Sequence, residues 1–145
     1  MEDLDDDPFL FKGQLLSRLD GGNESLLIGV DPGTRIGMAV YYGDAKIEFS
    51  TFGSAQDLCE KVVAFVTKVP AKKFTIRIGN GNQAMAIAMA SSLTTMAPAA
   101  SVEIVDESGT SARGAKMKGV QGDQRAAARI AFRKGNLFMR SPRSR

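Results

Sequence analysis

At 145 residues and a net charge of +3, the chain has the length of one domain and can bury a real hydrophobic core without a staple. Cys59 is its only cysteine and histidine is missing altogether, which excludes an internal disulfide framework, a His/Cys zinc site, a Ser-His-Asp triad and an imidazole general base within one chain. Any metal must be held by oxygen, which favours a hard cation, Mg²⁺ or Mn²⁺, on carboxylates.

In chain order, Met1–Asp7 is too acidic to pack and reads as disordered. No cationic, apolar leader opens the chain and no apolar run is long enough to cross a bilayer, so a soluble, cytoplasmic protein is expected. Phe9, Leu10, Leu15, Leu16 and Leu19 fit a short amphipathic helix interrupted by Gly13, and Gly21-Gly22-Asn23 reads as a linker. This acidic arm, residues 1–25, is free to dock on the domain, to bind a partner or to shield basic surface; the residues do not choose.

Leu26-Leu27-Ile28-Gly29-Val30 is a buried strand that ends at Asp31, and a second strand starts at Ile36. Between them Asp31-Pro32-Gly33-Thr34 has turn chemistry, with Pro32 presetting φ for a type I or II turn and Gly33 suited to the positive φ of type II. Gly37 in the second strand marks a place for close approach of a backbone or ligand. Gly43-Asp44 turns the chain into a third strand, Ala45 to Phe52. Ser54 and Asp57 resemble a capping box that opens a helix with Leu58, Val62, Phe65, Val66 and Val69 on one face, stopped by Pro70. Cys59 lies on or beside that face and is assigned no role.

Lys73 to Gly79 is a fourth strand, Asn82 caps a helix from Gln83 to Met96, and Ser101 to Val105 is a fifth strand ending in Asp106-Glu107. Ala and Met lie on nearly every side of that helix, which predicts burial between neighbours. A loop follows in which Ser108, Gly109, Gly114, Gly119 and Gly122 alternate with Arg113, Lys116 and Lys118; without apolar periodicity, mobility is expected. The last helix is predicted from about Asp123 to Lys134. Asp123, Ala127, Ile130 and Ala131 share one of its faces, and Arg125, Arg129 and Arg133 form a ridge on another. Asp123 suits either an N-cap or a site role. The order of elements implies an α/β domain at 26–137 with a basic tail at 138–145. Its mixed five-stranded sheet has a three-stranded antiparallel meander and two strands joined by helical crossovers, flanked by helices.

Charge is distributed unevenly. Residues 1–25 carry a balance of −5, leaving +8 for the rest, and from Arg113 onward ten Lys or Arg face one acid, Asp123. Such clustering is an electrostatic footprint of phosphate binding, although a solvated helix face with a basic tail gives the same pattern. Asp31 ends the first strand, Glu107 follows the fifth and Asp123 opens the last helix. Ligand sites in sheets with crossover helices form at such strand ends, and grouped acids are stable only when cations occupy them or protons are taken up.

Three stretches match a known family. GVDPGTRIGMAV resembles the opening strand-turn-strand of the RuvC and YqgF group within the ribonuclease H-like superfamily. IVDESGTSA resembles the end of the fifth strand in YqgF proteins, and GDQRAAARIAF resembles their final helix. Order and spacing agree over residues 26 to 135. The resemblance implies a ribonuclease H-like fold in which Asp31, Glu107 and Asp123 bind metal, with Asp106 able to replace or assist Glu107. It implies cleavage of structured nucleic acid by two divalent metals, Mg²⁺ or Mn²⁺, one activating water and one stabilising the leaving oxygen. Arg113, Lys116, Lys118, Arg125, Arg129 and Arg133 would contact phosphates. Gly79-Asn80-Gly81 stands where RuvC resolvases carry a Glu, which fits YqgF better, and Ser108 stands for the Arg of the YqgF stretch.

The expected activity is that of a metal-dependent endonuclease, Holliday junction resolvase-like on branched DNA or acting on precursor ribosomal RNA. A resolvase would need a symmetric homodimer to cut two strands. Two other readings stand beside it. One is a non-catalytic nucleic-acid-binding or ribosome-associated protein of the same fold. The other, an actin-like ATPase lobe, is discounted because those enzymes close two lobes around the nucleotide.

Overall fold

The computed structural model describes residues 7–106 and 119–138, and for 119–124 the backbone alone. Among these residues the chain forms α1 (Pro8–Asp20), β1 (Ser25–Asp31), β2 (Ile36–Tyr42), β3 (Ala45–Phe52), α2 (Ala55–Lys68), β4 (Lys73–Gly79), α3 (Gln83–Met96), β5 (Ala100–Val105), α4 (Gly119–Ala131) and β6 (Asn136–Leu137). The strands make one open mixed sheet in the order β3-β2-β1-β4-β5-β6. β2 is antiparallel to β1 and β3, β4 and β5 run parallel to β1, and β6 is antiparallel to β5. The sheet thus has six strands where five were expected. The added strand pairs only Asn136 with Ile104 and Leu137 with Glu103, too short to carry a periodic signal. Gly135 permits it, since a Cβ there would lie 2.5 Å from the Ile104 carbonyl oxygen.

Alternation along β1 divides the molecule into two layers. Leu26, Ile28 and Val30 are buried in one core cluster with Leu58, Val62 and Phe65 of α2 and with Met89 and Leu93 of α3. Each such side chain, fully buried, contributes roughly 1.5–3 kcal/mol. Leu27, Gly29 and Asp31 project to the other face, which α4 covers with the buried Ala127, Ile130 and Ala131. The helix starts follow local chemistry: Ser54 Oγ accepts from Asp57 N at 3.1 Å and Asn82 Oδ1 accepts from Met85 N at 3.1 Å. α3 departs from its expected burial on all sides. Only Ala86, Met89, Ala90 and Leu93 of that helix are buried, while Ile87 and Met96 are exposed, because α3 lies in an outer layer with one face on the sheet.

α1 docks on α2 and β3, on the face of the sheet opposite α4. Of the expected apolar residues Leu10 is buried and Leu16 packs against the core, whereas Phe9, Leu15 and Leu19 are exposed; Gly13 and Ser17 complete the buried stripe. Small residues let the helix come close: a Cβ on Gly13 would sit 3.0 Å from Val69 Cγ2. Ser17 Oγ donates to the Pro70 carbonyl, Gln14 Nε2 to the Lys68 carbonyl and the Tyr42 hydroxyl to Asp20 Oδ1.

Asp7, expected in a disordered stretch, is the N-cap of α1. It accepts from Phe9 N at 2.8 Å and pairs with Lys61. Lys61 Nζ also lies 3.2 Å from Oε1 of the buried Glu48, whose other oxygen accepts from Ser50. Burial pushes the Glu48 carboxyl above its ordinary range, against the pull of Ser50 and Lys61. Asp7 goes the other way, because Lys61 and the helix N–H groups outweigh its partial burial. Among the described residues no helix is long and apolar enough to cross a membrane.

Candidate functional site

Asp31 is the last residue of β1, the strand that lies between the antiparallel meander and the parallel pair β4 and β5. It is partly buried and pairs with Gly37 on β2. Val30 pairs with Ile78, so the next position of the parallel ladder is Gly79. The ladder positions beside Asp31 in the two neighbouring strands are thus both glycines, Gly37 and Gly79. The turn after it is not type II, because Gly33 has no positive φ; among the described residues the glycines that do are Gly21, Gly22 and Gly43. Gly33 is small for another reason, a Cβ there meeting the Arg35 carbonyl oxygen at 3.2 Å.

Gly29 sets how α4 crosses the sheet. A Cβ at this position would lie 2.2 Å from the Ala127 carbonyl oxygen and 2.7 Å from Ala131 Cβ and N. Ala39, the β2 partner of Gly29, is fully buried on the same face. The helix thus rests backbone to backbone on β1 through Gly29, Ala127 and Ala131. Its direction follows from the residue after its end. Phe132 packs on Tyr41 with ring centroids 4.5 Å apart, and Tyr41 pairs with Leu27 in the first half of β1. α4 consequently runs opposite to β1, and its N-terminal half lies toward the Asp31 end.

That half contains position 123. α4 begins at Gly119, one turn before the expected start, and ends at Ala131. Gly119 and Gly122, expected in a loop, therefore belong to the helix. Asp123 is an interior residue of α4, so the N-cap alternative fails and only its placement at this end of the sheet remains. Its side chain lies outside the described residues, as do Glu107, Arg113, Lys116 and Lys118 and the expected glycine- and cation-rich loop. Asp106 follows the last residue of β5 and is exposed. Arg125, Arg129 and Arg133 are all exposed, opposite the buried Ala127, Ile130 and Ala131; Arg133 stands just past the end of the helix.

The other end of α4 is held by a pair that the sequence pattern did not single out. Arg77 of β4 donates through Nε to Glu103 Oε1 at 3.0 Å and through a terminal nitrogen to the Ala131 carbonyl at 2.7 Å. Glu103 Oε1 also accepts from Gly135 N at 3.1 Å. One charged pair therefore caps the last turn of α4 and ties the segment leading to β6. A charge flanked on both sides by β-branched apolar residues, Ile-Arg-Ile in KFTIRIG and Val-Glu-Ile in ASVEIV, was the available signal.

Among the described residues no group of three or more acid, His or Cys side chains is placed to share a metal ion. Of the three acids expected to do so, Asp31 alone has a described side chain. The carboxylate oxygens of Asp31 are donors of the kind that suits a hard cation. Compared with known proteins, the chain matches no family model and no curated protein sequence.

Proposed function

We propose that the chain is a metal-dependent endonuclease of the ribonuclease H-like type, acting on structured nucleic acid, with Asp31, Glu107 and Asp123 as its metal-binding acids. The observation that carries this reading is the course of α4. Laid on β1 through Gly29 and running opposite to it, the helix brings position 123 to the strand end that bears Asp31. A meander followed by parallel strands reached through α2 and α3, with the last helix on the opposite face, also agrees with the layout that the resemblance implies. Val105 has the parity of Asp31 on the sheet, which favours the odd-numbered Glu107 over Asp106 as the third acid.

Mg²⁺ or Mn²⁺, when bound, would supply Lewis-acid activation of water and of the leaving oxygen. The chain's own contribution is positional. The repulsion among three carboxylates from separate elements is relieved only when cations sit among them or protons are taken up, and the helix and strand that hold two of them are locked together by backbone contact. Arg125 and Arg129, exposed on the outer side of the same helix, and Arg133 just past its end supply phosphate contacts that orient a strand without reading its sequence.

The test is cleavage of a labelled panel (four-way DNA junction, flap, plain duplex, hairpin RNA, single-stranded RNA) with Mg²⁺ or Mn²⁺, comparing wild type with Asp31→Asn. Metal-dependent cutting by the wild type, lost in the variant without loss of binding, supports the proposal. Equal, salt-sensitive binding by both proteins and cutting by neither would replace it with a binding module.

A further inference from the structure

We propose that Phe132, Tyr41 and Phe49 form a stacking platform for unpaired bases of a nucleic-acid strand that follows the Arg125–Arg129 side of α4. The inference rests on the nucleic-acid reading above and narrows it to substrates that carry a single-stranded segment.

The platform is built from three elements. Tyr41 of β2 packs edge-on against Phe132 at 4.5 Å and against Phe49 of β3 at 6.0 Å. Phe132 remains 59% exposed, so much of a large apolar side chain faces solvent although the half-buried Tyr41 packs against it. Core packing does not require that placement. A ring held on one side and open on the other is what a base needs for stacking, and stacking is tolerant of sequence because every base has a π-face.

Charge gives the occupant its identity. Lys46 Nζ lies 4.6 Å above the Phe49 ring, and Arg129, Arg133 and Lys134 are exposed around Phe132. Of the acids near Lys46 in the chain, Glu48 is buried on the opposite face with Lys61, and Asp44 lines a separate hollow with Asp20 and Glu24. Cations around an exposed aromatic ring suit a polyanion with flat, apolar bases better than an apolar peptide. Arg125, Arg129 and Phe132 fall at helical spacing, so cationic and aromatic contacts succeed one another along α4. From position 123 to Phe132 the rise is about 13 Å at 1.5 Å per residue, a span of a few nucleotides. A strand bound at the Asp31 end would thus reach the platform a short distance from the bond to be cut.

The experiment is equilibrium binding of the full chain in EDTA, where metal-dependent cutting is off, to short oligonucleotides carrying 2-aminopurine at successive positions. Single-stranded DNA, single-stranded RNA and a blunt duplex are compared for wild type, Phe132→Ala and Phe132→Trp. Loss of one stacked base predicts that Phe132→Ala binds single strands roughly five- to a hundred-fold more weakly, with duplex affinity and the salt slope unchanged. Quenching of 2-aminopurine at one position should disappear in Phe132→Ala and persist in Phe132→Trp. Equal affinity of wild type and Phe132→Ala for single strands, or an equal loss on single strands and duplex, would overturn the platform. Those results would leave a metal-dependent, Asp31-dependent cleavage activity intact. Stacking without any cleavage would sink the nuclease reading alone.

Discussion

Gly29→Ala should lift α4 from the sheet and, through α4, separate position 123 from Asp31. The added Cβ would lie 2.2 Å from the Ala127 carbonyl oxygen and 2.7 Å from both Ala131 Cβ and Ala131 N. Comfortable contact between heavy atoms begins at about 3.5 Å, so the helix must retreat by roughly 1 Å. Two of the three obstructing atoms are backbone, and no rotamer change relieves them. Overpacking of this kind costs about 1–3 kcal/mol. In a chain of this size that corresponds to a fall in Tm of roughly 3–10 °C. Misplacement of a metal-binding group by about 1 Å costs on the order of 100-fold in rate, so metal-dependent cleavage should fall further than stability explains. Gly53→Ala is the control, because a Cβ there meets nothing within 4 Å and the change should stay within about 0.5 kcal/mol. Thermal melts and cleavage rates are measured for both variants. If Gly29→Ala melts and cuts like Gly53→Ala, the helix does not rest on β1 as described and the argument for the site fails with it.

Two further perturbations test the supports around this arrangement. Arg77→Ala and Glu103→Gln should each destabilise by roughly 1.5–3 kcal/mol, the range for hydrogen bonds to charged groups. The double variant should be scarcely worse than either, because both residues hold the same end of α4; simple additivity in urea melts would count against that coupling. Glu48→Gln should change how stability varies with pH. The folded-state value of Glu48 is raised above its ordinary 4.5, so its contribution is fully present below that pH and is lost as pH rises through the raised value. Wild type should therefore lose stability relative to Glu48→Gln as pH climbs from 4.5, and a pH-independent difference in melts from pH 4 to 8 would refute it. Asp7, lowered from 3.8, acts with the opposite sign and only as pH falls below that value.

Local chemistry made most of the elements legible without coordinates. The short strand-like runs at β1 to β5 bounded by turn residues, the caps Ser54 and Asn82 and the stop at Pro70 each act within a few residues, and the structure puts those elements where the patterns do. The absence of histidine likewise restricted any metal chemistry to oxygen donors before a fold was known. What depended on tertiary structure was everything that joins distant segments. Gly29 reads as an ordinary strand glycine until Ala127 and Ala131 are found against it. Arg77 and Glu103 read as lone charges until parallel pairing sets them side by side. Gly13 reads as a flaw in an amphipathic helix, yet it is where α1 approaches Val69 most closely. Periodicity reports which face of an element avoids water, whereas the identity of the partner on that face and the distance of approach are set by the meeting of two surfaces. The chain alone therefore yields elements and candidate acids, and only the packing of α4 on β1 brings positions 31 and 123 to one end of the sheet.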